Sequence, residues 1–358
     1  MSQQSKQITI ENINIAKSFI TKSNKSFLIK ISYDNFDGYG EATPFMEYTG
    51  ATVETYELFY KECTTFLINR QFENITHIIE LVENLKTLDG CSSPALFAVE
   101  TAMVDLYCKV NNIPFYKALK KGDSSTFNKI EINSLLTVDD SIKRIESLLK
   151  KGVTAFKIKT GRAPLDREIE FLTMFRKTAG EKSLLRLDAN LMIKENELQS
   201  RLLAYEKFNP EFIEEPADLN YILNNSQLFN IPVAADESLK NISVNELNNL
   251  LKTYPVVVVK PAFHGLFKAL QIADIAQKAG VKVAVTHMMD GPVAIAGAAH
   301  FAFALNSRPL SCGLYPHDNL KKVPETKLFN ELFTGHATLP KTSGLGLDNF
   351  INKEGYFK

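Results

Sequence analysis

The chain has 358 residues, 45% of them hydrophobic, and its 41 basic residues balance its 41 acidic ones. A net charge of zero predicts no basic face for nucleic acid or an anionic membrane, so we expect neither partner. The opening MSQQSKQITI does not resemble a signal peptide, and no run reaches the roughly 18 apolar residues of a spanning helix, so we expect a cytoplasmic protein.

The first part of the chain, residues 1–125, contains strand patterns followed by helix patterns. ITIENINIAK and SFLIKISYD alternate as strands do, whereas VETYELFYKECTTFL and PALFAVETAMVDLYCKV carry apolar residues at helical spacing. This order predicts an α+β capping domain rather than a β/α repeat. The tail, residues 320–358, ends in a polar, loop-like segment, and we expect it to pack back on the cap.

Residues 126–319 alternate short β-branched runs with amphipathic segments, which predicts a β/α barrel. The strand candidates are 130–136, 154–160, 183–189, 211–215, 231–236, 255–260, 281–287 and 309–314. A doubly wound open sheet is the alternative architecture. It is disfavoured because no strand leads into a glycine-rich phosphate-binding loop.

Three carboxylates, Asp188, Glu214 and Asp236, follow three successive strand candidates at intervals of 26 and 22 residues. Barrels bring such strand ends to one catalytic face. An all-oxygen site without His or Cys suits a hard cation, Mg²⁺ before Mn²⁺ or Ca²⁺. The alternative is that each acid is a helix N-cap or a loop residue. The four cysteines are scattered without the spacing of a zinc site or a disulfide framework.

Lysines accompany these acids on the second and sixth strand candidates. Lys157 and Lys159 in FKIK share one face of a strand, and Lys260 ends VVVVK, which is too apolar for an edge strand. Lys159 and Lys260 are therefore expected on opposite sides of the barrel. One could remove an α-proton from a metal-bound substrate while the other returns one, which gives inversion, or elimination if a leaving group is present. The alternative for the Lys157 and Lys159 pair is an exposed edge strand.

Together these motifs resemble the muconate-lactonizing subgroup of the enolase superfamily. The resemblance covers nearly the whole chain, with GYGEATP and VETAMVDLYCKVNNIPFYKAL in the cap and FKIKTG, RLDAN, EEP and ADES in the barrel. It implies a modified TIM (β/α)7β barrel with a cap, and one Mg²⁺ per subunit on the three carboxylates. It also implies that Lys159 and Lys260 form the acid/base pair, and that Lys157 supports Lys159 and the substrate carboxylate. An oligomer is implied only by analogy with the family.

Within this subgroup the chain is most similar to the dipeptide epimerases. The resemblance implies epimerisation of a small L-Ala-L-Xaa dipeptide, for instance L-Ala-L-Glu or a hydrophobic dipeptide, at its C-terminal residue through an enediolate. Other members are racemases, cycloisomerases and o-succinylbenzoate synthases with the same lysines and metal ligands. Asn133 lies near the position where the family often has a substrate-contacting Thr, although a structural role is an equal alternative.

One departure concerns the eighth strand, where the epimerases usually have Asp-x-Asp to hold the dipeptide ammonium group. Here Gly313 and Tyr315 stand in those positions, and Asp318 or Asp290 could supply the missing anion. Without a carboxylate there, o-succinylbenzoate synthase becomes an alternative, and KPAFHG after the sixth strand resembles that family's ending. The cap-loop residue Tyr48 is a further candidate for specificity.

Overall fold

The computed structural model describes residues 6–18, 25–46, 50–120 and 127–357. Its first strands form an antiparallel sheet in the order β2-β3-β4, beside the short pair β1 and β5. Their bounds are β1 Ile8–Thr9, β2 Asn12–Ser18, β3 Ser26–Tyr33, β4 Phe36–Ala42 and β5 Gln71–Phe72. The helices that follow are α1 Val53–Leu67, α2 Ile75–Leu85, α3 Ser93–Val110 and α4 Phe115–Leu119.

The long helix α3 packs against β4 at backbone contact distance. A Cβ atom on Gly40 would lie 1.8 Å from the carbonyl oxygen of Ala98, and one on Gly38 would lie 2.1 Å from that of Ala102. Only glycine permits this approach. The two glycines of GYGEATP thus allow the sheet and α3 to share one core.

The second part of the molecule is built around parallel strands that form one sheet in chain order. These strands are β7 Asn133–Leu136, β8 Ala155–Lys159, β9 Leu184–Asp188, β10 Phe212–Glu214, β11 Val233–Ala235, β12 Val256–Val259 and β13 Lys282–Val285. Parallel bridges from Cys312 to Ile132 and from Gly313 to Thr286 link the first and last strands through an eighth segment. The predicted β/α barrel with an N-terminal cap is confirmed, and the open sheet is excluded.

Helices connect the barrel strands, and several begin with the side-chain caps expected of Ser and Asp. Their bounds are α5 Ile142–Lys150, α6 Leu165–Ala179, α7 Glu195–Glu206, α8 Leu219–Asn224, α9 Val244–Leu250, α10 Pro261–His264, α11 Leu266–Lys278 and α12 Pro292–Ala304. Ser141 accepts a hydrogen bond from the amide of Arg144 at the start of α5, and Ser243 and Glu246 form a capping box at α9.

The first and last strand candidates differ from the structure. The run 130–136 is divided, because β6 Lys129–Glu131 pairs antiparallel with β14 His336–Thr338, and only β7 enters the barrel. The run 309–314 contributes only the two isolated bridges. Both strands pair with residues distant in the chain, and a local pattern carries no information on such pairing.

The C-terminal part of the chain forms α13 Lys327–Leu332 and α14 Asp348–Glu354, and the start of α14 contacts the cap. Lys109 of α3 pairs with Asp105 at 2.8 Å and with Asp348 at 2.7 Å, and the amide of Leu345 donates to Asp105 at 2.7 Å. The prediction that the last residues are loop-like is wrong for 348–354, which are helical. The division into domains at residues 125 and 319 stays a prediction.

A buried carboxylate joins the cap to the barrel. Glu41 at the end of β4 accepts hydrogen bonds from the amides of Val293 and Ala294, at 2.8 and 3.2 Å, in the first turn of α12. Gly291 leaves room for this carboxylate. The cap is thus anchored beside the loop that follows the seventh barrel strand.

Within the described ranges, no helix has the length and apolar character needed to cross a membrane. All four cysteines are free, and Cys63, Cys108 and Cys312 are buried.

Candidate active site

The predicted site residues lie at the carboxyl ends of adjacent parallel strands. The register places Lys159 of β8 opposite Asp188 of β9, and Asp188 opposite Glu214 of β10. Asp236 and Lys260 come directly after β11 and β12. Because parallel strands end at the same edge of a barrel, these five side chains converge.

The lysines and carboxylates are in direct contact. The Lys159 ammonium lies 2.7 Å from Asp188, and the Lys157 ammonium lies 3.0 Å from both Asp188 and Glu214. On the other side, Lys260 lies 2.6 Å from Asp236. The three acids are almost fully buried. Charged groups so deep in a barrel need such partners to offset their desolvation.

Burial and these contacts together shift the pKa values of the site residues in different directions. Burial raises the pKa of Glu214 to about 8. Lys157 acts in the opposite direction, whereas the negative charges of Asp188 and Asp236 also raise this pKa. Burial would also raise the pKa of Asp188, but Lys157 and Lys159 outweigh it and hold this pKa well below its usual range. The pKa of Lys159 is lowered, mainly by burial. Burial acts in the same direction on Lys260, but Asp236 and Glu237 outweigh it and raise the pKa of this lysine. The two lysines thus lie in different electrostatic surroundings.

The carboxylates match a hard cation in donor chemistry, although their arrangement here is one of ion pairs. In the part of the chain that the structure describes, no three His, Cys, Asp or Glu side chains are grouped to hold a metal ion. However, Oδ1 of Asp188 and Oδ1 of Asp236 are buried without a hydrogen-bond partner among the described residues. Such oxygens ordinarily have a partner, and Mg²⁺ takes oxygen ligands of this kind. The donor set therefore fits Mg²⁺.

A cavity of about 640 Å³, the active-site cavity, opens at these strand ends. Its wall includes the predicted residues Asn133, Lys157, Lys159, Asp188, Lys260, Gly313, Tyr315 and Asp318. Glu214 and Asp236 are buried and are not among the residues that line the cavity. Asp290 also lies outside it, and its buried carboxylate accepts a hydrogen bond from the amide of Met288 at 2.8 Å. Tyr48 lies outside the described residues.

Asn133 contacts a buried arginine below the cavity. Its side-chain oxygen accepts a hydrogen bond from Arg186 Nη1 at 3.0 Å. Arg186 is almost fully buried, donates to the backbone carbonyl of Ser311, and pairs with Glu211 at 2.8 Å. This contact gives Asn133 a structural partner in addition to its place in the cavity wall.

The two positions that correspond to Asp-x-Asp offer no carboxylate, and the surroundings of the first exclude one. A Cβ atom on Gly313 would lie 2.4 Å from Oγ1 of Thr286, so this position has no space for a side chain unless Thr286 moves. Tyr315 has its hydroxyl 3.3 Å from Lys151 Nζ and its ring edge-on to Phe333, which lies in the C-terminal part of the chain.

Asp318 lies at the mouth of the cavity in a group of three charges. It pairs with Arg144 at 3.2 Å, and Arg144 also pairs with Asp140 at 3.0 Å. All three residues line the active-site cavity. Two carboxylates around one guanidinium leave one excess negative charge at this end.

His287 is held in one neutral tautomer. Its Nδ1 accepts a hydrogen bond from the amide of Met289 at 3.0 Å, so its Nε2 carries the proton and donates to the carbonyl of Tyr315 at 3.2 Å. Burial lowers the pKa of His287 to about 3, with His317 contributing. Both ring nitrogens are bonded to backbone, so His287 is a part of the wall rather than a proton carrier.

Two supporting residues have no role in the sequence prediction. Asn190 accepts hydrogen bonds from Lys159 at 2.5 Å and from Arg162 at 3.0 Å. Glu215 accepts them from the amides of Asp236 and Ser238, at 2.5 and 2.8 Å, and so orients the segment that carries Asp236. Both have positive φ, 43° and 42°, a conformation that Asn tolerates but that is strained for Glu215. In the sequence, Glu215 is the second acid of EEP and Asn190 is the Asn of DAN, and these two motifs are the signals that could have identified them.

Comparison with known proteins identifies the family. A family model described as enolase C-terminal domain-like matches residues 140–349, more than half of the chain. An L-amino acid-D/L-Glu epimerase from Francisella philomiragia is 26% identical over 309 residues, 83% of this chain and 85% of the relative. An L-Ala-D/L-Glu epimerase from Bacillus subtilis is 26% identical over 288 residues, 78% of this chain and 77% of the relative.

Solved structures agree on the fold. A dipeptide epimerase from Enterococcus faecalis, in complex with Mg and the dipeptide L-Leu-L-Tyr, superposes with a TM-score of 0.80 at 24% identity, over 95% of this chain and 99% of that one. The predicted superfamily is confirmed, as is the prediction of an enzyme of the isomerase class. On the family match over residues 140–349, the chain belongs to the enolase C-terminal domain-like family.

Proposed function

We propose that this protein is a Mg²⁺-dependent epimerase of small L-Ala-L-Xaa dipeptides that inverts the C-terminal residue. The observation that carries the proposal is the pair of ammonium groups, Lys159 and Lys260, in the wall of one cavity on the second and sixth of eight strand positions. Positions four strands apart in an eight-stranded barrel face each other. Two proton-carrying groups on opposite sides of one carbon atom are what inversion requires.

In this proposal Asp188, Glu214 and Asp236 would hold the Mg²⁺ ion. When bound, the ion would act as a Lewis acid on the substrate carboxylate and stabilise the charge that develops as the α-proton leaves. One lysine, as the neutral amine, takes the α-proton, and the other, as the ammonium, donates a proton to the opposite face. Lys157, bonded to Asp188 and Glu214, remains charged and is available to the substrate carboxylate.

The excess negative charge at Asp140, Arg144 and Asp318 supports a substrate with an ammonium group. The epimerases usually use acids of the eighth strand for this group, and Gly313 has no space for one. Asp318 is largely exposed and lines the same cavity, so its carboxylate is accessible to substrate. We therefore assign to Asp318 the role of binding the dipeptide amino group.

Hydrogen exchange in D₂O tests the reaction. A panel of L,L-dipeptides is incubated with the protein and Mg²⁺, and mass spectrometry with NMR reads the α-carbon of the C-terminal residue. We expect inversion to introduce deuterium at that carbon and at no other. A panel with neither exchange nor inversion would reject the proposal.

The same absence of a carboxylate at Gly313 and Tyr315 favours a second candidate, an o-succinylbenzoate synthase, whose substrate has no ammonium group. Its dehydration would appear as an absorbance change with the cyclohexadiene substrate, without any exchange in dipeptides. The two candidates thus give opposite results in the two assays.

Replacement of Asp318 by Asn tests the ammonium role. We expect KM for the active dipeptide to rise about tenfold with kcat nearly unchanged, because an exposed charge contributes to binding rather than to proton transfer. Asp139→Asn is the matched control, since Asp139 is exposed in the same loop as Asp140 but does not line the cavity. An equal KM for wild type and Asp318→Asn would contradict the assignment.

A further inference from the structure

A second cavity, of about 460 Å³, lies between the cap and the barrel, away from the active-site cavity. It is bounded by the start of α3, by the segment after the fifth barrel strand, and by α10 and the start of α11. We call it the lysine cavity, after Lys86, Lys240 and Lys268 in its wall. None of its lining residues belongs to the active-site cavity.

The lysines of the cavity are only partly compensated: Lys86 pairs with Glu83 at 2.5 Å, and Glu83 itself does not line the cavity. Lys268 has no hydrogen-bond or ion-pair partner among the described residues, and burial, together with Lys86, lowers its pKa. Of the described residues that line the cavity, Glu100 is the one acid. The carboxylate of Glu100 accepts a hydrogen bond from the amide of Leu266 at the start of α11, and burial raises the pKa of Glu100 to about 7. One acid in the wall is fewer than the three lysines there.

Two further features favour an anion. The 18-residue helix α3 begins at this cavity without a side-chain cap at Ser92, and the start of a helix attracts negative charge. His264 also lines the cavity and is only 5% exposed, yet its Nε2 has no hydrogen-bond partner among the described residues. A buried ring nitrogen of this kind normally has one.

We propose that the lysine cavity binds a small anionic molecule carrying a phosphate group or a pair of carboxylates. Lys86, Lys268 and the start of α3 hold its charge, and His264 Nε2 bonds to one of its polar atoms. The volume is within the range of small-molecule sites, about 300 to 1,000 Å³. The amides of Phe263 and His264 both donate to the carbonyl of Lys260, at 2.9 and 3.1 Å, so His264 belongs to the turn that begins at Lys260. An anion bonded to His264 would therefore contact this turn.

Calorimetric titration tests this site independently of the reaction. Inorganic phosphate and succinate are titrated separately at constant ionic strength, into protein that has been freed of metal ions and dialysed to remove the chelator. The variants are Lys86→Ala/Lys268→Ala and Lys268→Gln, which removes one charge and keeps the chain length. The matched control is Lys278→Ala/Lys327→Ala, because both lysines are exposed and lie outside the cavity.

We expect phosphate or succinate to bind wild type and control equally. Binding to Lys86→Ala/Lys268→Ala should weaken at least about tenfold, since this variant lacks both lysines and with them two charged hydrogen bonds to the anion. Lys268→Gln should weaken binding in the same direction. The anion that binds identifies the phosphate or the dicarboxylate class. Absence of binding by both anions, or equal binding to all variants, would overturn the proposal.

Discussion

Replacing either active-site lysine by alanine is expected to abolish epimerisation of the dipeptide, with at least about a thousandfold loss of kcat. The two variants should differ in what they retain. In Lys159→Ala the remaining base, Lys260, can still exchange the α-proton of one epimer with solvent deuterium. In Lys260→Ala, Lys159 can do so only with the other epimer, because each lysine reaches one face of the α-carbon.

The experiment measures deuterium incorporation by each variant, starting separately from the L,L- and L,D-dipeptides. Calorimetry with Mg²⁺ and circular dichroism establish that the variants keep the metal and the fold. Lys177→Ala, on the outer helix α6, is the control and should keep wild-type rates. Retention of epimerisation within tenfold in either variant, or exchange of the same epimer by both, would contradict the two-base mechanism.

The strand ends could be predicted from the sequence because two regularities act together. The β/α repeat sets the spacing from Lys159 to Lys260, and parallel pairing brings each strand's last residue beside the next. The observed register of Lys159, Asp188 and Glu214 follows this rule. A residue can therefore be placed from the sequence when its position depends only on which strand it belongs to and on its being at the end of that strand.

Residues whose partners are distant in the chain were not accessible. Thr286 fills the space beside Gly313, and the pattern SCGLYPHD gives no sign of this neighbour. The pairing of Arg144 with Asp318 joins α5 to the segment after the eighth strand position. Such contacts decide what the mouth of the cavity binds, so the sequence predicts the proton-transfer chemistry better than the substrate.

The lysine cavity illustrates the same limit. Lys86 and Lys268 are separated by most of the barrel in sequence, and neither lies in a recognisable motif. The packing of α3 on α11, where the amide of Leu266 donates to Glu100, helps to bring their surroundings together. A single lysine in a sequence is most simply a solvated surface residue. Only when the structure places it beside a cavity and a second lysine does it become a candidate for binding an anion.

Arg186 was also missed, and its replacement by Met is expected to lower the free energy of unfolding by about 3 kcal/mol or more. In LLRLD it stands two residues before Asp188, on the same face of β9, so it lies deeper in the barrel interior. There it bonds to Asn133 and to the carbonyl of Ser311, which are 53 and 125 residues away in sequence. It thereby ties β9 to the two segments that close the barrel.

Methionine keeps much of the volume of Arg186 but leaves the buried Ser311 carbonyl without its donor, and that desolvated group accounts for a large part of the expected loss. Arg167→Met is the matched control. Arg167 also pairs with an acid, Asp139, but both side chains are exposed, so removing the pair should cost less than about 0.5 kcal/mol. Urea unfolding of the three proteins measures both differences. Equal stabilities of Arg186→Met and Arg167→Met would show that the buried arginine does not hold the barrel closed.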